Sequence, residues 1–323
     1  MNTIPREICK QVGRFFNIKT LLKIKRPVFL PFYHVVSDEK LPHILNYNYR
    51  NTSQFEKELD FYLKYFKPVG LKELVNGTYS DDDFHLSFDD GLRECSDVIA
   101  PVLLRKGIPA TFFVNPGFVD NKALFHKYRA SVVLTRLKNL SAEKAAQITG
   151  HKKVSSNEFL KTTILNENLI DELAQKLEIN FDDFLASQQP YLTSAQIFDL
   201  KNKGFSIGAH SFNHPEFWKI DTAQQTEEIS KSLNWLTSTI LPEIKSFAFP
   251  FTDSGVPKQV FDTMFNDFGF DVSFGTAGVK YDELANHFQR YPVEQPGDFL
   301  HNLKGEFVYL ELRNKIGKSI VKH

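Results

Sequence analysis

Four side chains that could bind a cation or move a proton occur in two short clusters. Asp89 and Asp90 are adjacent and are followed by Gly91. His210 and His214 lie four residues apart. Two imidazoles and one carboxylate suit Zn²⁺, Fe²⁺, Co²⁺ or Ni²⁺ and leave coordination positions for water and substrate, while the second carboxylate stays free as a base. The spacing alone leaves a simpler interpretation open, in which Asp-Gly forms an ordinary turn and the histidines are structural.

Each cluster follows a segment that reads as a strand. Phe84, Leu86 and Phe88 alternate with polar residues before the acid pair, and this period of two is typical of a strand. Residues 205–209 form a second short strand pattern directly before the histidines. Because α/β folds place their ligands at the carboxyl ends of strands, we expect both clusters at one edge of a sheet.

Strand and helix patterns alternate along most of the chain, which indicates a parallel sheet or barrel. Ser53 is predicted to cap a helix, with Glu56 completing a capping box. Between residues 122 and 190 strand patterns vanish and short helical patterns dominate, so we predict a helical insertion there. The predicted strands are residues 27–36, 84–88, 109–115, 205–209, 245–250, 271–274 and 288–293.

The composition excludes several classes of protein. The 323 residues are 42% hydrophobic, which allows a large core, and 39 basic residues balance 39 acidic ones, so we expect no nucleic-acid partner. Two distant cysteines, Cys9 and Cys95, make no disulfide framework. No glycine-rich phosphate loop and no Gly-x-Ser-x-Gly elbow occurs, which disfavours a nucleotide hydrolase or a serine hydrolase.

The segment at residues 4–26 is basic and amphipathic, with seven lysines and arginines against one acid. It could lie on an anionic membrane surface, or pack on the body of the protein as a capping helix. No secretory signal pattern and no apolar run of about 18 residues is visible. We therefore expect a cytoplasmic protein, with room for peripheral attachment at the inner membrane surface.

The two clusters and a later strand resemble the motifs of the polysaccharide deacetylases, the NodB-homology group or carbohydrate esterase family 4. Ser-Phe-Asp-Asp-Gly at 87–91 looks like the first motif of that family, and His-Ser-Phe-Asn-His at 210–214 looks like its second. Phe-Ala-Phe-Pro-Phe at 247–251 aligns with the third. With Tyr33-His34 and Pro-Ala-Thr-Phe-Phe-Val at 109–114, the resemblance spans roughly residues 27–120 and 190–295.

The resemblance implies an α/β fold, a distorted NodB-like (β/α)7-type barrel with a helical insertion. On this basis residues 1–26 are expected to be a basic N-terminal segment. Residues 27–315 are expected to form a single catalytic domain of the polysaccharide deacetylase type, interrupted by the insertion at about 122–190. Residues 316–323 are expected to be a C-terminal tail. Insertions at a barrel mouth shape the groove, so we expect this one to govern substrate range more than metal binding.

The resemblance also implies roles for individual residues. One divalent metal is expected, zinc in the first place, with cobalt, nickel, iron or manganese as alternatives. Asp89 would be the general base that takes a proton from water. The backbone N–H of Phe251, after Pro250, would stabilise the oxyanion. The implied metal ligands are Asp90, His210 and His214.

Two departures from the family pattern need substitutes. The third motif usually opens with an arginine that pairs with the base, but Ala248 stands there, and Arg290 is our candidate replacement. The Leu-x-His that usually supplies the general acid is not found, and His34 is our candidate for the acid or for a residue that supports the site. Asp253 and Asp271 are weaker candidates.

These features predict a metal-dependent hydrolase that removes N-acetyl groups from amino sugars in a polysaccharide or glycolipid, so an acetylated carbohydrate is the expected partner. The same site could instead hydrolyse O-acetyl esters or small amides. A carbohydrate-binding relative with weakened catalysis is a third reading. A non-haem iron oxygenase also uses two histidines and one carboxylate, but the adjacent second aspartate favours hydrolysis. The sequence leaves the sugar and the oligomeric state open.

Overall fold

Eight short parallel strands form one sheet at the centre of the protein. The structure is a computed structural model that describes residues 6–150 and 155–323, so the first two residues of the basic segment predicted at 4–26 lie outside the described residues. The strands of the central sheet are β1 Pro31–Tyr33, β2 Leu86–Phe88, β3 Ala110–Val114, β4 Ser206–Ala209, β5 Ser246–Ala248, β6 Val272–Gly275, β7 His287–Gln289 and β8 Tyr291–Pro292.

The sheet curves almost into a closed barrel. Its strand order is β7-β6-β5-β4-β3-β2-β1-β8, and every neighbouring pair is parallel. Only Arg290 separates β7 from β8 in the chain, although these strands lie at opposite edges of the sheet. The predicted α/β barrel is confirmed. It has eight strands because the single strand predicted at 288–293 is divided at Arg290.

The first predicted strand is also shorter than expected. The sequence pattern covered residues 27–36, but only Pro31–Tyr33 belongs to the barrel. Phe29 instead bridges Phe84, and Val36 bridges Arg50, so the extended chain changes partners along its length. Alternating apolar residues indicate that a segment is extended and buried, but they do not indicate which strand lies beside it.

Helices cover the outside of the barrel. They lie at Arg6–Gly13, Ile18–Leu21, Thr52–Tyr65, Leu71–Val75, Ala100–Lys106, His126–Lys138, Ala142–Ile148, Ser156–Phe159, Asn168–Lys176, Phe181–Gln188, Ser194–Asn202, Thr222–Trp235, Lys258–Asp262 and Phe299–Lys315. Shorter helical turns lie at Cys95–Ile99, Val119–Asn121, Ile164–Asn166, Phe217–Lys219, Leu236–Ile240 and Thr263–Asp267. Two small parallel pairs complete the fold: Lys67–Pro68 with Asp83–Phe84, and Tyr281–Asp282 with Ile320–Val321.

The predicted cap of the helix at Thr52–Tyr65 is wrong. The side chain of Asn51, not that of Ser53, accepts a hydrogen bond from the backbone N–H of Gln54 at 2.8 Å. The side chain of Gln54 in turn accepts one from the backbone N–H of Asn51 at 3.1 Å. This is a capping box two residues earlier than the one we predicted, built from the same spacing. Asn51 and Gln54 satisfy the same spacing rule as Ser53 and Glu56, so the rule alone does not distinguish the two positions.

The segment between β3 and β4 is helical, as expected, and has a small core of its own. Apolar side chains from three of its helices pack together, and one helix of the segment, His126–Lys138, also reaches the barrel mouth. The buried members of that core are Ala130, Val133, Leu134, Leu137, Phe159, Ile170, Leu173, Ala174 and Leu177.

Both ends of the described chain pack on the barrel. The helix Arg6–Gly13 lies against Phe299–Lys315, where Gly305 permits close contact: a Cβ added there would lie 2.7 Å from the Cα of Lys10. Arg6 pairs with Glu306 at 3.1 Å. Residues 316–323, predicted as a tail, contain the strand Ile320–Val321. No helix in the part of the chain that the structure describes is long and apolar enough to span a membrane.

Candidate active site

The first and second motifs meet at the carboxyl ends of β2 and β4. The N–H of Asp89 donates to the carbonyl of Tyr33 at 2.9 Å, and the N–H of His210 donates to the carbonyl of Val114 at 2.9 Å. The sheet ladder therefore continues one residue beyond each strand and fixes both residues. Parallel strands bring their carboxyl ends to one edge, which is why clusters 120 positions apart in the sequence come together.

The backbone of the motifs is held in an unusual conformation. Asp90, Ser211, His214 and Phe251 have φ values of 69°, 61°, 55° and 57°. Non-glycine residues rarely adopt this left-handed region, and such strain concentrates at sites where a side chain or an N–H must point in a particular direction. All three motifs contain at least one such residue.

Two imidazoles and one carboxylate converge beyond these strands. His214 Nε2 lies 3.1 Å from Asp90 Oδ1 and 3.1 Å from His210 Nε2, and His210 Nε2 lies 3.6 Å from the same Asp90 oxygen. His210 Nδ1 lies 2.8 Å from the carbonyl of Ala248, to which it donates its proton. Burial lowers the pKa of His210 to about 4, so its ring is neutral and Nε2 presents a lone pair to the centre of the group.

This donor set fits a divalent metal. Asp90 Oδ1 is buried and accepts no well-oriented hydrogen bond from residues 6–150 and 155–323, His214 included, although a buried carboxylate oxygen is normally satisfied. Burial raises the pKa of Asp90, but the neighbouring His214 outweighs this and lowers it, so the carboxylate is ionised. Two imidazole nitrogens and one ionised carboxylate oxygen are the ligand types that Zn²⁺ and related ions take.

Asp89 forms a buried ion pair with Arg290. Its two carboxylate oxygens accept hydrogen bonds of 2.7 Å each from the two terminal nitrogens of the guanidinium group. Arg290 also donates to Ser87 Oγ at 3.0 Å and lies over the ring of Phe32. Burial alone would raise the pKa of Asp89, but the charge of Arg290 overcomes this and lowers it. The structure thus brings Arg290, from the gap between β7 and β8, onto the aspartate with which we expected it to pair.

His34 forms a second charged pair at the same mouth. Its Nδ1 lies 2.5 Å from Glu294 Oε2, and its ring stacks on Tyr47. Burial would lower the pKa of His34, but the Glu294 carboxylate outweighs it and raises the pKa to about 9. Nδ1 is occupied by Glu294, so Nε2–H remains as the donor that His34 can offer. Sequence reasoning missed Glu294, which follows β8, the strand beside β1.

One cavity of about 410 Å³ joins these groups. Lys127 and Tyr47 face it from the segments that cover the barrel mouth. His210 and Arg290 do not line it and lie beneath its floor. The candidate site residues on the cavity wall are His34, Asp89, Asp90, His214 and Phe251.

Phe251 of the third motif contributes both its ring and its backbone N–H to the candidate site. The Phe251 ring lies against the ring of His214, with centroids 4.7 Å apart. No acceptor for the Phe251 N–H occurs among the described residues, so this donor is free for a group bound in the cavity. Pro250 directly precedes it and has no N–H of its own.

The family model described as "Polysaccharide deacetylase" matches residues 76–263, which is more than half of the chain. The chain belongs to the polysaccharide deacetylase family. The matched region contains all three motifs, the strands β2 to β5 and the helical segment between β3 and β4. A comparison with curated proteins gives no match.

Three solved structures of similar fold are the deacetylase PplD, the protein IcaB and a de-N-acetylase. PplD of Streptococcus pyogenes, solved with acetate, has a TM-score of 0.54 at 15% identity, and the match covers 88% of this chain and 99% of PplD. IcaB of Ammonifex degensii has a TM-score of 0.55 at 16% identity, covering 88% and 98%. The de-N-acetylase of Aggregatibacter actinomycetemcomitans has a TM-score of 0.54 at 14% identity, covering 86% and 99%. These likenesses show the fold.

The helical segment of this polysaccharide deacetylase also contacts the candidate metal ligands. The Tyr128 hydroxyl donates to Asp90 Oδ2 at 2.6 Å, and Tyr47 lies 2.7 Å from the same hydroxyl. Tyr128 is in the first helix of the insertion, so the insertion supports the ligand group directly. That the insertion governs substrate range stays a prediction, and the observed contact is the one between Tyr128 and Asp90.

Replacing Tyr128 with phenylalanine should weaken metal binding about 10–100-fold, because hydrogen-bond partners of metal ligands typically contribute this much. Asp90 Oδ2 would lose the bond that fixes its orientation, while the ring would keep its packing. The measurement is a competition titration of Zn²⁺ against a chelating dye. Tyr49→Phe is the matched control, because its hydroxyl bonds only to the surrounding loop. An unchanged affinity in Tyr128→Phe would show that Asp90 needs no support from the insertion.

The two weaker candidates lie elsewhere. Asp271 accepts a hydrogen bond from the backbone N–H of Lys245 at 2.7 Å and is not part of the cavity. Asp253 lies 3.1 Å from His287 in a separate buried cluster. Neither contacts Asp89 or Asp90.

Proposed function

We propose that this chain removes N-acetyl groups from amino-sugar residues of a glycan, with one divalent metal, zinc foremost, held by Asp90, His210 and His214. The observation that carries the proposal is the pairing of Asp89 with Arg290 beside the converging lone pairs of these ligands. A hydrolase of this family needs an ionised base next to its metal, and a pocket that reaches both. The cavity of about 410 Å³ meets that need.

The residues in and around the cavity each have a separate role in amide hydrolysis. A divalent ion in this ligand set supplies Lewis-acid chemistry, which polarises the acetyl carbonyl and acidifies water. Asp89 accepts the proton of the attacking water, and Arg290 keeps the carboxylate ionised and aimed at the cavity. The Phe251 N–H, which has no acceptor among the described residues, donates to the oxygen that becomes negative in the transition state.

His34 is the proton donor in this scheme. An amine leaves a tetrahedral intermediate only after protonation, whereas an alcohol departs more readily without it. With a pKa of about 9, His34 carries its proton at neutral pH and can release it to the leaving nitrogen. The presence of a charged acid on the cavity wall favours N-acetyl over O-acetyl substrates.

Replacing Glu294 with glutamine should move the alkaline limit of activity. His34 must be protonated to act, so wild-type kcat/KM should fall as the pH rises through about 9. The substitution removes the charge that raises this pKa while burial still lowers it, so the fall should begin near the ordinary histidine value of 6.5 or below. The pH profile of acetate release from N-acetylglucosamine oligomers measures this shift.

The matched control for that profile is Glu243→Gln, which neutralises an exposed carboxylate paired with Lys72. It should leave the alkaline limb in place. If Glu294→Gln also retains the wild-type limb, His34 is not the group that limits activity at high pH.

The proposed reaction is tested by comparing substrates. Purified protein loaded with Zn²⁺ should release acetate from N-acetylglucosamine oligomers and little or none from an O-acetylated xylan. Acetate from the ester alone would replace the proposal with an O-acetyl esterase. Glycan binding without acetate from either substrate would favour a binding protein on this scaffold.

The N-terminal segment supports a proposal about membrane contact. Phe15 is 89% exposed and Ile8 is 56% exposed, which is unusual for such side chains, and exposed lysines follow in the same segment at positions 19, 23 and 25. We propose that this face rests on an anionic lipid surface, with the apolar side chains entering the interface. Wild type should sediment with vesicles rich in phosphatidylglycerol but not with pure phosphatidylcholine. Phe15→Ser should weaken this binding, and equal sedimentation of both proteins would contradict the proposal.

A further inference from the structure

A second cluster of potential metal ligands lies outside the cavity described above. It combines Asp253, two residues after Phe251, with Asp282, His287 and His323. One ligand atom from each of these four residues lies within 4.8 Å of the others. The first three come from the loop after the third motif, the small strand Tyr281–Asp282 and β7, and the last follows the strand Ile320–Val321.

The inward-facing atoms are carboxylate oxygens and imidazole nitrogens. Asp253 Oδ2 lies 3.1 Å from His287 Nε2 and 3.9 Å from His323 Nε2. Asp282 Oδ2 lies 3.1 Å from His323 Nε2. Two nitrogens and two oxygens at such distances from one another surround a single point, and this composition suits a tetrahedral transition-metal site.

Three of the four side chains are anchored by their outward-facing atoms. Asp253 Oδ1 accepts from the N–H of Thr276 at 3.3 Å, and Asp282 Oδ1 accepts from the N–H of Leu284 at 3.0 Å. His287 Nδ1 lies 2.7 Å from Ser273 Oγ. Proteins orient metal ligands in this way, with the outer atom fixed by a hydrogen bond and the inner atom facing the centre of the group.

The charge and the burial of this cluster both favour a bound cation. None of the four side chains is more than 2% exposed. With neutral imidazoles the cluster carries two negative charges away from water, which is costly unless a cation compensates them. One divalent ion would neutralise both carboxylates, and protonation of both histidines would be the alternative.

We propose that Asp253, Asp282, His287 and His323 bind a second divalent transition-metal ion of the Zn²⁺ class. Four protein ligands fill a tetrahedral shell and leave no position for substrate, so the site is structural rather than catalytic. The Gln289 side-chain amide now donates to Asp253 Oδ2 at 2.5 Å and to Asp282 Oδ2 at 2.8 Å, and it lies 3.2 Å from His287 Nε2. An ion at the centre would replace the Gln289 amide as the partner of both carboxylates.

The second ion would add a link between segments that hydrogen bonds and ring contacts already hold together. Thr276, which holds Asp253 through its N–H, also donates its hydroxyl to the carbonyl of Phe251 at 2.8 Å. The ion therefore braces the loop that presents the Phe251 N–H to the cavity. Its loss should lower the thermal stability and loosen this loop without removing any ligand of the first site.

Metal stoichiometry tests the inference. Wild type loaded with Zn²⁺ and freed of excess metal should contain two equivalents by elemental analysis. His323→Gln should contain one, His214→Gln should contain one, and the double variant none. Asp282→Asn repeats the test from a different strand in case His323→Gln folds poorly, and His301→Gln is the control that should keep two.

The zinc content of these variants distinguishes the second metal site from the proposed catalytic site. A second readout is the midpoint of thermal unfolding, which Zn²⁺ should raise in His214→Gln but not in His323→Gln/His214→Gln. No zinc in His214→Gln, or two equivalents in both His323→Gln and Asp282→Asn, would overturn the second site. One equivalent in wild type that is lost in His323→Gln and kept in His214→Gln would uphold it and overturn the proposed catalytic metal instead.

Discussion

Replacing Asp89 with asparagine should lower kcat for deacetylation by about 10²–10⁴-fold, the usual contribution of a general base, while the bound metal remains. The amide cannot accept the proton of the attacking water. The ligand group of Asp90, His210 and His214 does not include Asp89, so metal content should stay the same. Acetate release and elemental analysis on the same preparation measure the two effects together.

Asp271→Asn is the matched control for this variant, because it makes the same chemical change at a carboxylate outside the cavity. It should retain full activity. Because Asp89→Asn leaves Arg290 with an uncharged partner, thermal unfolding should be recorded to show that the protein is folded at the assay temperature. Near-normal kcat in folded Asp89→Asn would remove this residue from the reaction.

Replacing Arg290 with methionine should cost about 3–5 kcal/mol of the free energy of unfolding, because it leaves the buried carboxylate of Asp89 without its counter-charge. Both partners are no more than 2% exposed, so water cannot take over the role of the guanidinium group. The pKa of Asp89 should rise at the same time, because the largest of the charges that oppose the effect of burial is removed. Urea unfolding at pH 7 measures the loss.

The double variant Asp89→Asn/Arg290→Met separates charge from packing. It removes both charges, so it should recover part of the stability lost in Arg290→Met. The pH dependence supplies a second check. Protonation of Asp89 relieves the unpaired charge, so the deficit of Arg290→Met should shrink as the pH falls. An equal deficit in the single and double variants would mean that Arg290 acts through packing on Phe32 and its neighbours, not through Asp89.

The sequence predicts the site best where residues that can bind a metal or move a proton directly follow a clear strand pattern. The pair Asp89-Asp90 and the histidines at 210 and 214 each follow a strand with a clear pattern, so their meeting at one sheet edge could be predicted from topology alone. The expectation that Arg290 pairs with Asp89 came from the missing arginine at Ala248. The structure shows why the exchange is possible: Arg290 occupies the gap between β7 and β8 and enters the barrel from there.

Contacts between distant segments could not be read from the sequence. Glu294 reaches His34 because β8 lies beside β1, and this adjacency depends on how the sheet closes. Tyr128 reaches Asp90 because a helix of the insertion folds over the barrel mouth, and its position in the sequence gives no sign of it. With the strand order known, the contact between Glu294 and His34 could be predicted, because these residues follow neighbouring strands. The contact between Tyr128 and Asp90 could not.

Local rules also failed where two answers fitted equally well. Asn51 and Ser53 both offer an N-cap followed three residues later by Gln54 or Glu56, and only the packed helix selects the first. The sequence marks Asp253 as a weak candidate acid, and no local pattern connects it with His287. Their shared cluster appears only when β7 and the loop after the third motif are placed together.

The most direct test of the account is acetate release before and after removal of the metal. Protein treated with a chelator and dialysed should lose its activity on N-acetylglucosamine oligomers and regain it when Zn²⁺ is added back, whereas His214→Gln should regain none. Undiminished acetate release from metal-stripped protein, or no acetate release from folded, metal-loaded protein, would contradict the proposed metal-dependent N-deacetylase.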